Sequence, residues 1–356
     1  ENPGRACRVR RAAAVSHAAA RLAGRQVFPA FTYQQETNLS KAFIKIVSAV
    51  ALAACAASAA AQEATKVVMG ISGWTGYGPL SLAEKTGLFK KHGIEAEIKM
   101  IPQKDRHLAL ASGAIQCAAT AVQSHISWTV NGVPITQIFL MDRSHGADGL
   151  AVRDNIKSFA DLKGKTIAVS APGTTPHFFL SWMLSKNGIR LKDIRTVALE
   201  PQPAAQAFVS GRNDAAVSYE PYLSTIRAKP EAGRILATTV DYPAVIDTFG
   251  CTPQWLKANP KAAQGITDAY FEALDMIKKE PEKAYGIMGE VVKQTGEQFA
   301  ESAKALRWAD KAENQKFFAS EVQPFMKEAA AILLESGVIR QLPQTYDGLA
   351  DPQFIR

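Results

Sequence analysis

The side chains best suited to chemistry in this 356-residue chain sit in short turns, and they do not assemble into a catalytic set. Trp74 and Tyr77 share "GWTGYGPL" with three glycines and a proline, directly before an amphipathic run. Ser124 and His125 follow "CAATAVQ", Thr174 and Thr175 precede Pro176, and Tyr219 and Glu220 precede Pro221. Asp142 and Asp148 flank "RSHGA", with Asp241 and Asp247 farther on. The chemistry these residues support is non-covalent capture. An aromatic face offers contact area. The N–H groups and dipole at a helix start favour an anionic group, and a carboxylate receives an amine. Glycine lets the backbone approach a ligand closely. No Ser/His/Asp set, phosphate loop or CxxC is evident, and His125, His145 and His177 lack metal spacing. The expectation is a binding protein without cofactor or metal. Plainer roles stand beside these: Trp74 as core, Thr174 and Thr175 as helix caps, Glu220 as an acid at a helix start, Asp142 as a hydrogen-bonder in a hinge turn.

The elements that must position these residues alternate. "KVVMGISG" is β-branched and apolar, Pro79 opens a helix, and "IEAEIKMI" alternates as a strand. "KDRHLALASGA" is helical, "IQCAATA" a strand, "HISWTVNG" a helix and "PITQIFLMD" a buried strand; "LAVR" follows as a strand. A second unit starts near Asp154 and repeats the rhythm through "TIAVSAPG", "TTPHFFLSWMLSKNGI" and "DAAVSYE". Near Asp247 to Cys251 the chain leaves it, and from Gln254 onward it reads as long amphipathic helices without strand signal. Such alternation implies mainly parallel sheets. Trp74 and Tyr77 then lie at a strand's carboxyl end, where open α/β sheets bind ligands.

The net charge of +8 resides mostly in the first 61 residues, where eight Lys/Arg stand against Glu1 and Glu36. The remainder carries +2, so a nucleic-acid partner is not expected. "NLSKAFIKIVSAVALAACAASAAAQE" has the layout of a secretory signal, with Lys41 and Lys45 as a positive start and a cut before Gln62. "LAAC" also resembles a lipobox, whose processing would leave a lipidated Cys55. Residues 1–61 are therefore read as leader and signal peptide, with the domain starting near Thr65.

The chain resembles the nitrate/sulfonate/taurine-type periplasmic solute-binding proteins of ABC importers over residues 65–342. The resemblance rests on the order of "W-x-G-Y-G-P-L", "GLFKKHGIE", "ALASGAI", "DRSHGADG", "DLKGKTIAV", "GTTPHFFL", "AFVSGRNDAAVSYEPYLS" and "RWADKAEN". It implies a type II periplasmic binding fold, two α/β lobes joined by two hinge crossings with a ligand cleft between them. Lobe 1 is expected over 62–153 plus 249–356 and lobe 2 over 154–248. The implied protein is a periplasmic monomer, not an enzyme, that captures a small taurine- or alkanesulfonate-class solute and docks on permease subunits. A pyrimidine thiamine precursor is the alternative solute. An enzyme of thiamine-pyrimidine synthesis shares the fold, but its relative carries a cysteine-rich iron-site motif, whereas only Cys117 and Cys251 follow the signal here. The expected ligand contacts are Trp74, Tyr77, Ser124, His125, Asp142, Thr174, Thr175, Tyr219, Glu220 and Asp247. Asp148 is expected farther from the solute. Cys117 and Cys251 read as separate buried thiols; a bond between them is the alternative, because in this fold the returning strand runs beside the third strand of the lobe.

Overall fold

The structure, a computed structural model, describes residues 64–355. The segment expected to be leader and secretory signal, with Cys55, lies outside them. Eleven strands are found among the described residues: β1 Thr65–Ile71, β2 Ile94–Met100, β3 Cys117–Ala121, β4 Thr136–Ser144, β5 Asp148–Val152, β6 Thr166–Val169, β7 Arg195–Ala198, β8 Ala215–Tyr219, β9 Arg234–Thr238, β10 Ile246–Cys251 and β11 Leu306–Trp308. The α-helices are α1 Gly78–Lys85, α2 Leu88–Lys91, α3 Gln103–Ala111, α4 Val122–Val130, α5 Thr175–Lys186, α6 Pro201–Val209, α7 Tyr222–Arg227, α8 Pro253–Ala258, α9 Pro260–Lys279, α10 Pro281–Val291, α11 Gly296–Ala303, α12 Lys311–Lys316 and α13 Val322–Glu335.

The strands form two sheets, ordered β11-β4-β10-β3-β1-β2 and β7-β6-β8-β5-β9. Each is mixed rather than mainly parallel. β1–β2, β1–β3, β6–β7 and β6–β8 run parallel, but β4, β5 and β10 pair antiparallel with their neighbours. β5 and β10 are the first strands after each passage between lobes, and each runs against the parallel strands of the sheet it enters, because a chain that comes from the other sheet arrives from the opposite direction. β4 runs with β1 and β3 and pairs antiparallel only because its neighbours are β10 and β11.

The first crossing is residues 145–147, and the return runs through residues 239–245. Thr239 staples the two together: its hydroxyl lies 2.7 Å from Ser144 Oγ and accepts the Gly146 N–H at 2.8 Å. These crossings move the expected lobe boundaries. β5 pairs with β8 and β9 and so belongs to the second sheet, not the first lobe. β10 begins at Ile246, ahead of the expected return at 249.

Helices cover both sheets for the usual amphipathic reason. α9 buries Ala262, Ile266, Ala269, Tyr270, Ala273 and Ile277 along one stripe. Its Tyr270 hydroxyl donates to the Met141 carbonyl at 2.8 Å. The C-terminal region departs from the expected helices-only pattern in two ways. "LRW" forms β11 as an added edge strand on β4. α13 buries Val322, Met326 and Leu333 in a cluster with Phe178, Val169 and Val217 of the second lobe, so it does not serve the first lobe alone.

The cysteines correct the separate-thiol expectation. Cys117 and Cys251 stand directly opposite on β3 and β10 and are disulfide-bonded, with Cα atoms 3.9 Å apart. Register decides this: pairing the returning strand antiparallel to β3 places the two residues face to face.

Candidate functional site

β1 ends at Ile71, and the chain turns through Ser72, Gly73 and Trp74 into a 3-10 turn at Thr75–Tyr77 that leads into α1. Both aromatic rings are buried, Trp74 at 5 % exposure and Tyr77 at 4 %. The Trp74 indole N–H points at the Asp142 carboxylate, 3.2 Å from Oδ1 and 3.4 Å from Oδ2. The Tyr77 hydroxyl donates to Asp247 Oδ1 at 2.6 Å. Asp142 and Asp247 are register partners on the hinge strands β4 and β10. Gly76 allows this close packing, because a β-carbon there would run into both the Asp142 carboxylate and the Trp74 nitrogen. The glycine of this turn thus admits a carboxylate of the protein itself.

Beyond these side chains lies a cavity of about 10 Å³, lined by Ser72, Trp74, Tyr77, Gln103, Asp148, Thr175, Tyr219, Val245 and Asp247. That is about the room of one water molecule. Both lobes contribute: Ser72 to Gln103 come from the first, Thr175 and Tyr219 from the second. Larger surface grooves of about 610 and 820 Å³ run beside Leu191 and Trp255, but no buried titratable group faces them.

The cleft is dominated by carboxylates. Asp142, Asp148 and Asp247 are each at most 2 % exposed. Burial pushes Asp148 up to about 8, with the charges of Asp247 and Glu220 adding to the effect and the Ser144 hydroxyl opposing it. Burial raises Asp247 to about 7 against the pull of the Tyr77 bond and the Arg106 charge. Asp142 is likewise raised by burial and then by the charge of Asp247. Loss of water disfavours the charged form in each case. Asp148 Oδ2 is buried without a hydrogen-bond partner. The compensating cation is Arg106, fully buried, whose guanidinium donates to the backbone carbonyls of Ile101 at 2.9 Å and of Ala119. Among the described residues no group of His, Cys, Asp and Glu is arranged to hold a metal ion.

Five of the expected contact residues reach the cavity: Trp74, Tyr77, Thr175, Tyr219 and Asp247. Ser124 lies just behind, 2.8 Å from Gln103 Nε2, and Asp142 lies behind Trp74. Three do not reach it. His125 packs its ring against Gly250 of β10, with Nε2 3.4 Å from the Thr248 carbonyl. Burial lowers its pKa to about 4, so it is a neutral core residue. Thr174 turns its hydroxyl back to the Ala171 carbonyl at 2.7 Å. Glu220 is 1 % exposed but is bound by Arg227 and by the Ser224 hydroxyl at 2.7 Å.

Ser72, Gln103, Val245 and Asp148, the last expected farther from the solute, also line the cavity, and the Arg106 charge acts on Tyr77 and Asp247. Gln103 had a legible signal, since it opens the helix after β2 and so stands at a strand's carboxyl end like the other turns. Arg106 had none, because "KDRH" reads as a solvated helix face.

The family described as "NMT1/THI5 like" matches residues 74–284. A putative binding protein of Brucella abortus (strain 2308) is 26% identical over 230 residues, 63% of this chain and 70% of that protein. The taurine-binding periplasmic protein of Escherichia coli (strain K12) is 28% identical over 182 residues, 49% of this chain and 57% of that one. Among solved structures, the periplasmic aliphatic sulphonate binding protein of Escherichia coli superposes with a TM-score of 0.67 at 20% identity, covering 81% of this chain and 92% of that chain. That likeness shows the fold, a periplasmic binding protein fold with two α/β lobes.

Proposed function

The chain belongs to the NMT1/THI5-like family, and on that premise we propose that it is the solute-binding component of an ABC importer, capturing a small zwitterionic solute of the taurine class between its lobes. In this reading it works in the periplasm and delivers its solute to permease subunits, and it performs no catalysis. The observation that carries the solute class is the pair of buried carboxylates facing one cavity with the start of α5. Asp148 has an unpartnered oxygen there and Asp247 lines the same wall, which suits an ammonium. Thr175 presents a helix start and a hydroxyl on the other side, which suits a sulfonate or carboxylate. An ammonium favours the ionised form of these carboxyl groups and pairs with it, a gain that nitrate or an amine-free sulfonate cannot provide. Trp74 and Tyr219, edge to face at 5.5 Å, supply the apolar walls. That aromatic pair, next to carboxylates, favours an aminopyrimidine as the second reading.

The cavity is smaller than any of these solutes, so uptake requires the lobes to part about the two crossings. A thermal-shift screen with taurine, ethanesulfonate, an aminopyrimidine and nitrate tests the reading. A ligand at 100 times its dissociation constant stabilises by about 2.7 kcal/mol. Taurine should give the largest shift, and Asp148→Asn should abolish most of it. Ethanesulfonate or nitrate outperforming taurine would overturn the reading; the aminopyrimidine doing so would establish the second.

A further inference from the structure

We propose that the Gln103 side chain is an internal stand-in for the anionic end of the solute, and that the solute must displace it to bind. The proposal rests on the reading of the cleft given above. Gln103 opens α3 in the first lobe, and its carboxamide crosses to α5 in the second. Its Oε1 accepts the Thr175 backbone N–H at 3.0 Å. That is the position a bound oxyanion takes at the start of a helix, and α5 is a full 12 residues long.

The amide nitrogen shows that the surroundings suit another group better. Nε2 lies 2.8 Å from each of Thr120 Oγ1, Ser124 Oγ and Thr175 Oγ1. An NH₂ group has two protons, so it cannot serve all three hydroxyls well at once. Gln123, fully buried, reaches the same point with Nε2 3.0 Å from Thr175 Oγ1, and its own Oε1 has no partner. A hydroxyl accepts from an amide but donates equally well to an anion, by rotating about its C–O bond. With a sulfonate or carboxylate in place of the carboxamide, the Thr175 N–H and the three hydroxyls become four donors on one acceptor group.

Two consequences follow from this geometry. Gln103 holds the lobes together through bonds that a solute would otherwise make, so the apparent affinity is reduced by the fraction of molecules so closed. It also selects against solutes without an anionic end, because they cannot replace the bonds that its departure breaks.

Small-angle scattering and calorimetry on the wild-type protein, Gln103→Ala and Gln103→Glu test this. Without solute, Gln103→Ala should show a larger radius of gyration than wild type, and it should bind taurine severalfold more tightly. Gln103→Glu keeps an oxyanion in place, so it should stay as compact as wild type and bind taurine at least tenfold more weakly. Tenfold weaker binding by Gln103→Ala would make Gln103 a direct solute contact and overturn the proposal, as would unchanged affinity in both variants. If taurine binds none of the three proteins, the taurine reading falls and scattering alone decides: an unchanged radius in Gln103→Ala then sinks the stand-in.

Discussion

Asp148 and Asp247 hold their protons far above the ordinary carboxylate range because the closed cleft strips them of water. The sign of the consequence is set by linkage. Their folded-state values, about 8 and about 7, lie above the unfolded value near 3.9, so the folded state binds more protons over that interval. The stability they contribute is complete below about pH 4 and is lost as pH rises towards 8. Without solute, the melting temperature should therefore fall between pH 5 and 8, and Asp148→Asn/Asp247→Asn should flatten that fall. An equally steep fall in the double variant would place the titration elsewhere. Glu220 carries a different lesson at this scale. Its carboxylate is taken up by Arg227 and Ser224, so Glu220→Gln should cost about 1.5–3 kcal/mol of stability and leave solute affinity unchanged. Calorimetry beside a melt separates the two, and a selective loss of affinity would return Glu220 to the site.

The pairing of β3 with β10 ties the returning strand to the centre of the first sheet, and the Cys117–Cys251 bond locks that pairing across a separation of 134 residues. A crosslink over so long a loop restricts the unfolded chain strongly, and removing one of this kind costs about 2–5 kcal/mol. Reductant should lower the melting temperature of the wild-type protein to that of Cys117→Ala/Cys251→Ala, and a wild-type melt indifferent to reductant would show that the thiols do not pair. The element also bears on the site, since Asp247 sits on the same strand as Cys251. α12 is tied to the neighbouring β4 through Asn314, whose buried side chain accepts the Leu140 N–H at 2.7 Å and donates to the Leu140 carbonyl at 3.0 Å.

Each lobe has an apolar cluster of its own, and a further cluster joins the two. Val122, Ile126 and Leu140 of the first lobe join Leu150, Val217 and Phe178 of the second in one cluster, with α13 packed against both. Calorimetry should therefore record one cooperative transition with matching calorimetric and van't Hoff enthalpies; two resolved transitions would mean that the lobes unfold independently. The strand and helix rhythm and the aromatic turn at Trp74 and Tyr77 were legible in the sequence. Each rests on local signals: hydrophobic period, a proline at a helix start, glycine in a turn. What was not legible is which neighbour each polar side chain meets. Thr174 and Thr175 are adjacent and chemically alike, yet one turns to its own loop and the other to the cleft. Arg106 belongs to a run that reads as solvated, and it is fully buried. Asp148 was expected farther from the solute, and it lines the cavity with one unpartnered oxygen once β5 joins the second sheet. Sequence alone determined the elements and the turns that carry the site, because those follow from interactions between near neighbours in the chain. The tertiary structure alone decided the lobe boundaries, the disulfide and the makeup of the cleft. Those depend on strand register and on burial by residues tens to hundreds of positions away, which no local pattern encodes.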